Sequence, residues 1–365
     1  MEFQVHGSRA VVAALTEALC SLDGVRLAEP GEFSRRAYEH GKLDLSRVEG
    51  LADLIDAETE AQRVQALRQM EGAFADQCSD WGRQLRRCLA WLEAAIDFPD
   101  EEIPADLFAR VRPVIGVVHR AVDAWLAEPN RGSVIRDGFQ IAIVGPPNVG
   151  KSSLLNAIAE RDVAIVSERA GTTRDVIEVR IDLGGYVVVL ADTAGLRSGV
   201  SLDPVEQEGI ARALARLQAA DLVLQIRDTD ATSGDPAGAV VNADAAVDIL
   251  NILNKTDLPD APSPFEGELA ISAVTGARMD QLMARILERI EARYTGTLNP
   301  ALTRQRHRTA LEGCRKSLER AMTAVDAELC AEDLRLALRA MDQLIGKTGV
   351  EDLLDMIFRD FCIGK

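Results

Sequence analysis

Five short motifs in a fixed order carry the residues of this chain that are equipped for chemistry. They are Gly145-Pro-Pro-Asn-Val-Gly150-Lys151-Ser152, Gly171-Thr172-Thr173, Asp192-Thr-Ala-Gly195, Asn254-Lys255-Thr-Asp257 and Ser272-Ala273. A glycine-rich loop in front of a helix binds phosphate oxygens through its backbone N–H groups. An Asp carboxylate accepts hydrogen bonds from guanine N1–H and the 2-amino group, a donor pair that adenine lacks. The motifs therefore predict a guanine-nucleotide site in the middle third of the chain.

The first motif supplies the predicted contacts to the phosphates. It follows the apolar run 141–144 and precedes the apolar-periodic segment 153–158, so we expect a strand, a loop and a helix in that order. Lys151 is expected to reach the β- and γ-phosphates as a catalytic residue, and the Ser152 hydroxyl to bind Mg²⁺. The predicted nucleotide contacts in this loop are Asn148, Val149, Gly150, Lys151, Ser152 and Ser153.

The second and third motifs are expected to respond to the γ-phosphate. Asp192 ends the apolar run 186–191, and an Asp at the end of such a strand holds Mg²⁺ directly or through water. Thr173 is the candidate that closes over the metal, and the N–H of Gly195 can bond the γ-phosphate. The predicted nucleotide contacts in these two loops are Ser167, Glu168, Arg169, Ala170, Gly171, Thr172, Thr173, Asp192, Thr193, Ala194 and Gly195.

The last two motifs are expected to read the base. Asn254-Lys255-Thr-Asp257 follows the apolar segment 247–253, which predicts a position at the end of a strand. Asp257 is expected to bind the guanine edge, with Lys255 lying along the ring. The backbone of Ser272 and Ala273 is expected to meet the guanine oxygen. Asn-Lys-x-Asp is a weak match by itself, and its place after a strand in this order of motifs makes it a strong one.

One catalytic position is unusual. Many GTP hydrolases place a water-orienting Gln directly after the Asp-x-x-Gly motif, and here that position is Leu196, which cannot orient water. The nearby acids Asp203, Glu206 and Glu208 are candidates for the missing role. Each of them also fits a solvated acidic loop, and spacing leaves the choice among them open.

Composition excludes several other classes of protein. The formal charge is −17 and aromatic residues make up 4% of the 365 residues, so bulk electrostatics oppose nonspecific nucleic-acid binding and any RNA contact needs a local basic patch or a basic partner. The six cysteines show no zinc or disulfide spacing and are expected to be reduced thiols. No signal-peptide pattern and no apolar run long enough to span a bilayer is present, so we expect a cytoplasmic protein without a membrane partner.

The elements that must position these motifs suggest four segments. A strand over residues 3–5 and a helix over 11–22 are expected in a short mixed segment, 1–41. Helical patterns fill 42–135, with a capping box at Ser46 and Glu49. A nucleotide domain over 136–293 contains a hairpin that turns at Gly184-Gly185. Helical patterns resume over 294–365, so we expect an α/β P-loop domain with a mixed, mostly parallel six-stranded sheet, inserted into an all-α domain.

Four segments of the sequence resemble the MnmE/TrmE family of tRNA-modification GTPases. They are Pro30-Gly-Glu-Phe-Ser-Arg-Arg-Ala-Tyr38 with Gly41-Lys-Leu-Asp-Leu45, the phosphate loop, Ala170-Gly-Thr-Thr-Arg-Asp175, and the terminal Phe361-Cys-Ile-Gly-Lys365. The resemblance covers essentially the whole chain. It implies a potassium-stimulated GTP hydrolase that takes part in carboxymethylaminomethyl-type modification of the wobble uridine of tRNA. Residues 1–41 then resemble the remainder of an N-terminal α+β domain that binds folate and dimerises.

The resemblance also assigns roles within the nucleotide domain. Family members dimerise through their GTPase domains across the nucleotide, and K⁺ supplies charge that other GTPases take from an arginine finger. Asn148 matches the family's potassium-binding Asn, and Ser167, Arg169 and Thr172 match the loop positions that complete the potassium site. Thr173 matches the Mg²⁺ threonine. Glu206 matches the Glu that orients the attacking water, although two extra residues precede it here.

Further roles are implied outside the nucleotide domain. Glu2, Lys42 and Lys365 match positions that contact a 5-formyltetrahydrofolate-type folate, and Cys362 matches a thiol needed for modification in the family. The implied partners are tRNA, an FAD-dependent protein of the MnmG/GidA type and a second copy of the chain. The family's N-terminal domain is longer than residues 1–41, which leaves three explanations open: a misplaced start, a truncation or a real loss of folate function. We favour a misplaced start or a truncation, and we expect GTP binding to survive it.

Two other functions share part of this pattern. A GTP-dependent binding switch of the ribosome-assembly type carries the same five motifs, but such proteins usually have a basic RNA-binding appendage, and both helical segments here are acidic or mixed. A helical scaffold with an inactive GTPase insert is the second alternative. The intact phosphate, Mg²⁺ and guanine positions argue against it.

Overall fold

The computed structural model describes residues 2–98, 107–128, 131–161, 178–192, 217, 219–227, 248–259, 261–294, 302–347, 354 and 357–358. These residues form two compact units. The first contains the described parts of Met1–Ala52, Arg68–Arg120 and Ala310–Lys365, and the second those of Asp53–Leu67 and Ala121–Thr309.

Helices dominate the described residues outside the sheet. In chain order they are α1 (Arg9–Cys20), α2 (Glu32–Glu39), α3 (Leu45–Ile55), α4 (Glu60–Met70), α5 (Ala73–Asp97), α6 (Leu107–Ala127), α7 (Arg131–Asp137), α8 (Lys151–Arg161), α9 (Met279–Tyr294), α10 (Gln305–Thr323) and α11 (Ala327–Leu344). Helix α7 is short and ends just before the first strand.

The second unit is built on a six-stranded sheet. Its strands are β1 (Phe139–Val144), β2 (Glu178–Leu183), β3 (Tyr186–Asp192), β4 (Leu222–Arg227), β5 (Asp248–Leu253) and β6 (Leu269–Ala270), in the order β2-β3-β1-β4-β5-β6. The β2–β3 pair is antiparallel and the other pairs are parallel. The mixed, mostly parallel six-stranded sheet is confirmed.

The strands are apolar because both faces of the sheet are covered. Ile141, Leu222 and Leu224 on one face, and Ala142 and Val223 on the other, are at most 2% exposed, as expected for a parallel sheet that is buried on both faces. Helices α8 and α9 contribute their apolar stripes to this core through Leu154, Leu155, Ile158, Met279, Leu282, Ile286 and Ile290. These buried side chains hold the strands in place, and the strands in turn position the loops that carry the motifs.

The predicted hairpin at Gly184-Gly185 is confirmed. Both glycines have positive φ, 63° and 87°, which suits a two-residue hairpin turn. The Asp182 carboxylate accepts a hydrogen bond from the Gly185 N–H at 2.8 Å and stabilises the turn. The hairpin adds β2 as an edge strand beside β3.

The first unit is helical. Helices α5 and α11 pack against each other through buried side chains that include Trp81, Leu85, Leu92, Leu334, Leu338 and Met341. The helical pattern predicted for residues 42–135 is divided into separate helices: α3 ends at Ile55, α4 spans Glu60–Met70, and Gly72 adopts φ 92° before α5 begins. A left-handed residue ends a helix, so the pattern continues in a new helix.

Two local predictions were wrong. Residues 3–5 are not a strand, and Phe3 and Val5 are about half exposed, since no strand among the described residues lies beside them. Ser46 and Glu49 do not form a capping box. Asp44 caps α3 instead, accepting a hydrogen bond from the Arg47 N–H at 2.9 Å, which places both Ser46 and Glu49 inside the helix, buried.

Candidate functional site

The five parallel strands direct the motifs to one edge of the sheet. Strand β1 ends at Val144 directly before the phosphate loop, β3 ends at Asp192, and β5 ends at Leu253 directly before Asn254. Ala270, which ends β6, lies two residues before Ser272. Because parallel strands end at the same edge, the sheet gathers these motifs at its carboxyl edge, where open α/β sheets bind ligands.

The phosphate loop depends on close backbone contacts. A Cβ on Gly145 would lie 2.4 Å from the Ile226 carbonyl oxygen, and a Cβ on Gly150, at φ 96°, would lie 2.5 Å from the Asn254 Nδ2. Any side chain at these positions would therefore push the loop away from β4 and from Asn254. Val149 between them is 1% exposed and anchors the loop in the core.

Lys151 and Asn148 have distinct positions in this loop. The Lys151 ammonium donates hydrogen bonds to the carbonyl oxygens of Gly145 and Pro146, at 2.9 and 2.8 Å. It therefore lies across the loop in which phosphates would be held. Asn148 is exposed and adopts φ 63°, a left-handed conformation that Asn tolerates better than most residues.

The oxygen donors expected for Mg²⁺ come from two neighbouring elements. Ser152 is exposed at the start of α8, and Asp192 at the end of β3 lies in register with Ile143 of β1, the strand that leads into the phosphate loop. A hydroxyl and a carboxylate are the ligands that Mg²⁺ prefers, together with phosphate oxygens. The two residues fit the metal in type and in their placement along the sheet.

Asn254 connects the phosphate loop to the base-reading motifs. Its side chain is 2% exposed. Its Nδ2 donates to the Val149 carbonyl at 2.9 Å, and its Oδ1 accepts from the Ala273 N–H at 3.1 Å. A buried amide with both ends bonded to backbone holds two loops at a fixed separation. The fourth motif therefore also positions the first and the fifth.

Asp257 is held by the fifth motif. The Ser272 hydroxyl, fully buried, donates to Asp257 Oδ1 at 2.6 Å, while Asp257 itself is exposed. Ser272 also accepts from the Thr275 N–H at 3.1 Å. Lys255 adopts φ 62° and turns the chain between Asn254 and Asp257. The arrangement presents a carboxylate with a fixed orientation at the surface, which suits recognition of a purine edge.

Many predicted site residues fall outside the described residues. They are Ser167, Glu168, Arg169, Ala170, Gly171, Thr172, Thr173, Thr193, Ala194, Gly195, Asp203, Glu206, Glu208, Cys362 and Lys365. The segments 162–177 and 193–216 that contain most of them are continuous with β2 and β3. The backbone of Asp192 is described, and its side chain is not.

Sequence reasoning missed an ion pair beside the base motifs. Arg227 at the end of β4 makes two hydrogen bonds to Glu268, at 2.6 and 2.5 Å, and the two residues are 41 positions apart. An arginine that ends a mostly apolar strand was the available signal. Its partner could not be recognised without the order of the strands.

The N-terminal motif lies against the C-terminal segment in the first unit. The Tyr38 hydroxyl donates to the Gly346 carbonyl, and the Leu45 N–H donates to the Ile345 carbonyl at 3.3 Å. Phe358 is 1% exposed and lies under the Arg35 guanidinium, 5.1 Å from the ring centroid. A Cβ on Gly31 would lie 2.7 Å from the Phe358 carbonyl oxygen. Two segments at opposite ends of the sequence are therefore packed together.

The candidates for folate contact are only partly described. Glu2 lies in an irregular segment and Lys42 in a turn after α2, and both are exposed. Among the described cysteines, Cys78, Cys88, Cys314 and Cys330 are buried, and burial raises the pKa of all four thiols. Buried neutral thiols are poor nucleophiles, so these four have a structural role. In the described part of the chain, no helix combines the length and the apolar character that a membrane crossing requires.

Comparison with known proteins covers the whole chain. The family model for the MnmE helical domain matches residues 45–362, and the model for the N-terminus of GTP-binding protein TrmE matches residues 1–42. Proteins named tRNA modification GTPase MnmE from Parvibaculum lavamentivorans and Rhodospirillum rubrum are 54% and 51% identical over 100% of this chain, and over 82% and 80% of their own lengths. The protein of the same name from Caulobacter vibrioides is 48% identical over 100% of this chain and 83% of its own.

Similarity to solved structures is looser. A crystal structure of an Aquifex aeolicus Era variant bound to GDP.AlF4- aligns with a TM-score of 0.33 and 24% identity, over 51% of this chain and 68% of that chain, too loosely to support any argument. The chain belongs to the MnmE family.

Proposed function

We propose that this chain is a GTP hydrolase that takes part in tRNA modification, the activity named for its relatives. The observation that carries the proposal is the position of Asn254 and Asp257. Asn254 joins the phosphate loop to the Ser272-Ala273 backbone, and Asp257 is presented beside it with one oxygen bonded to Ser272. A phosphate loop and a guanine-reading carboxylate at a fixed separation suit a guanine nucleotide.

The described residues support a division of labour at the nucleotide. Gly150 and its neighbours offer backbone N–H groups to phosphate oxygens at the start of α8. The Lys151 ammonium, which lies against two loop carbonyls, supplies positive charge beside the β- and γ-phosphates. Ser152 would hold Mg²⁺ together with the assigned residues Asp192 and Thr173, and the bound ion would supply charge neutralisation for the phosphate oxygens. Asp257 selects guanine.

Water activation and the potassium site rest on the family resemblance. We assign the attacking water to Glu206, since Leu196 occupies the position of the usual Gln and has no polar group. We assign K⁺ to Asn148 with the backbone of Ser167, Arg169 and Thr172. The exposed position of Asn148 on the phosphate loop supports this role. A second copy bound through the GTPase domain is part of the same proposal.

The tRNA chemistry extends beyond the nucleotide site. We assign the chain to carboxymethylaminomethyl-type modification of the wobble uridine, with an FAD-dependent partner of the MnmG/GidA type and a folate one-carbon donor. Glu2, Lys42 and Lys365 are the assigned folate contacts, and Cys362 is the assigned functional thiol. The contact between residues 31–38 and Phe358 supports a common site for both ends of the chain.

The domain division that accompanies this function follows the motifs. We assign residues 136–293 to the GTPase domain, inserted between helical segments 42–135 and 294–365, with 1–41 belonging to the folate domain. A cytoplasmic location remains the expectation, since the scattered cysteines suit reduced thiols.

GTP turnover in K⁺ and in Na⁺ tests the proposed function. With Mg²⁺ present, we expect turnover at least about 10-fold faster in K⁺, because a well-placed cation stabilises the charge of phosphoryl transfer.

Glu206→Ala should lower turnover by about 100-fold with little change in GTP affinity, since a water-orienting group acts mainly in the transition state. Asp203→Ala is the matched control. Equal rates in the two salts would reject the potassium site, and full activity of the Glu206 variant would reassign the water.

A further inference from the structure

Strands β4, β5 and β6 end in a single row at the carboxyl edge. Arg227 lies in register with Leu253, and Leu253 lies in register with Ala270. Asn254 and Asp257 follow the middle strand, while Ser272 and Ala273 follow β6. The residues that read the base therefore come from two adjacent strands, and their separation depends on how β5 and β6 are held together.

Strand β6 is a weak element by itself. It contains two residues, Leu269 and Ala270, at the edge of the sheet. It is reached from Asp257 by the connection 258–268, which has no helix or strand among its described residues. A two-residue edge strand after an irregular connection has few backbone hydrogen bonds to fix its place. Directly after β6, the Ile271 N–H donates to the Leu253 carbonyl at 2.8 Å and the Ile271 carbonyl accepts from the Thr256 N–H at 3.2 Å. A side-chain contact at the start of β6 adds to these bonds.

Arg227 and Glu268 make that contact. The guanidinium of Arg227, on β4, reaches across the end of β5 to Glu268, the residue directly before β6, with Nε and Nη2 bonded to the two carboxylate oxygens at 2.6 and 2.5 Å. The two side chains are 18% and 4% exposed. A two-bond pair between a planar guanidinium and a carboxylate has a fixed geometry, and burial shields it from salt.

Two further contacts extend the pair into the base motifs and the connection. The Arg227 carbonyl accepts a hydrogen bond from the Asn254 N–H at 2.9 Å, so Arg227 also holds the start of the fourth motif. Glu268 accepts from the Phe265 N–H at 2.9 Å, and the Phe265 ring covers the guanidinium at 4.1 Å from its centroid. A guanidinium over an aromatic face is attracted to the ring electrostatically.

We propose that the Arg227–Glu268 pair, together with the Asn254–Ala273 and Asp257–Ser272 bonds, sets the distance between the two guanine-reading motifs, and so tunes discrimination of the base by Asp257. Both members of the pair are positioning residues: their side chains join the end of β4, next to which the fourth motif begins, to the start of β6. The inference rests on the proposed guanine-nucleotide site and adds residues that determine its specificity.

Inosine diphosphate is the probe that isolates this effect. It keeps the guanine oxygen and N1–H and lacks the 2-amino group, so the ratio of its Kd to that of GDP reports the Asp257 contact to that group. If the pair positions Asp257 relative to Ser272, loosening it weakens the contact to the 2-amino group. General destabilisation of the fold would weaken the binding of both nucleotides equally and leave the ratio of their Kd values unchanged.

Titration calorimetry of the full chain with GDP and with inosine diphosphate, in Mg²⁺, is the test. Glu268→Gln removes the charge while keeping the shape, and should lower the GDP preference by about 10-fold, since one good hydrogen bond to a charged group is worth about that factor. Arg227→Lys keeps the charge without the paired bonds, and should give an intermediate loss. Circular dichroism establishes that each variant is folded at the titration temperature.

Asp221→Asn is the matched control. Asp221 lies directly before the other end of β4, also pairs with an arginine, and has a side chain that is 12% exposed. This variant should keep the wild-type ratio. The inference is overturned if both Arg227→Lys and Glu268→Gln remain within about twofold of wild type; if the Gln variant does not fold, the Lys variant decides. Absence of GDP binding by the wild-type chain would instead reject the proposed function.

Discussion

The two edges of the central sheet use charge in opposite ways. At the carboxyl edge, the neutral side chains of Asn254 and Ser272 hold the loops, and the acidic Asp257 is presented at the surface. At the amino edge, acids are paired with arginines: Asp221 with Arg293 at 3.3 Å and Asp248 with Arg289 at 2.9 Å.

The amino edge also receives the segment that belongs to α3 and α4. The Ala61 N–H donates to the Gly185 carbonyl at the hairpin turn, at 3.3 Å, and Glu58 pairs with Arg180 of β2 at 2.9 Å. Asp53 accepts from Arg136 at 3.1 Å and from Arg304 at 2.8 Å. One carboxylate therefore joins the residues before β1 to those just before α10.

The two edges of the sheet differ in whether a carboxylate is available to a ligand. A carboxylate with arginine partners is already neutralised, and changing it should alter stability more than binding. A carboxylate oriented by a hydroxyl keeps its charge for a donor from outside. The Arg227–Glu268 pair is the exception, since it pairs a carboxylate with an arginine at the carboxyl edge. Neither residue belongs to the base-reading motifs.

Asp257→Asn should have the largest effect on binding. An amide cannot accept from both guanine N1–H and the 2-amino group, so we expect GTP affinity to fall by about 100-fold or more, with a shift of preference towards xanthine nucleotides. Titration calorimetry with GTP and xanthosine triphosphate measures both. Asp248→Asn, the same change at the opposite end of β5, should leave affinity for GTP intact. If the Asp257 variant still prefers GTP, the carboxylate at the carboxyl edge is not the group that reads guanine.

Asp53→Asn should have a smaller effect, and on stability instead. The Asp53 side chain is 15% exposed, and removing its charge weakens its pairing with both Arg136 and Arg304. We expect the free energy of unfolding to fall by about 1–3 kcal/mol, measured by urea denaturation. GDP affinity should remain within about twofold of wild type. A variant with normal stability and weakened GDP binding would contradict the assignment of this edge.

The carboxyl edge could be predicted from sequence because its logic is local. The first, third and fourth motifs directly follow apolar runs, and a parallel sheet brings the ends of such runs together regardless of their distance along the chain. That rule placed Asp192 at the end of β3 and Asn254 after β5. The Gly184-Gly185 turn was predictable for the same reason, since the two residues specify it by themselves.

The contacts between distant residues could not be predicted in this way. Asp53 lies 83 and 251 positions from its two arginine partners, and Arg227 lies 41 from Glu268. Charged residues are numerous in the sequence, so pairing them requires the fold. The capping error at Ser46 was of another kind: Asp44 stood two residues away as an equally suitable cap, and the choice between them depended on packing of α3.

Asp221→Asn should have the smallest effect on stability, and that effect should depend on pH. Burial raises the pKa of Asp221 above its ordinary value, against the opposing effects of the Gln140 N–H and of Arg293. The folded chain therefore binds this proton more tightly than the unfolded chain, so the group favours folding at acid pH. That contribution is lost as pH rises through the ordinary Asp range, about pH 4, and then through the raised pKa of the folded state.

Asn does not titrate, so the variant lacks this dependence. Its stability relative to wild type should improve as pH rises across that window, as measured by thermal unfolding at a series of pH values. Asp248→Asn, whose carboxylate is about half exposed, is the control. If stability of the Asp221 variant instead worsens relative to wild type as pH rises, the arginine pair outweighs burial. The attraction between Asp221 and Arg293 would then stabilise the charged carboxylate by more than burial destabilises it.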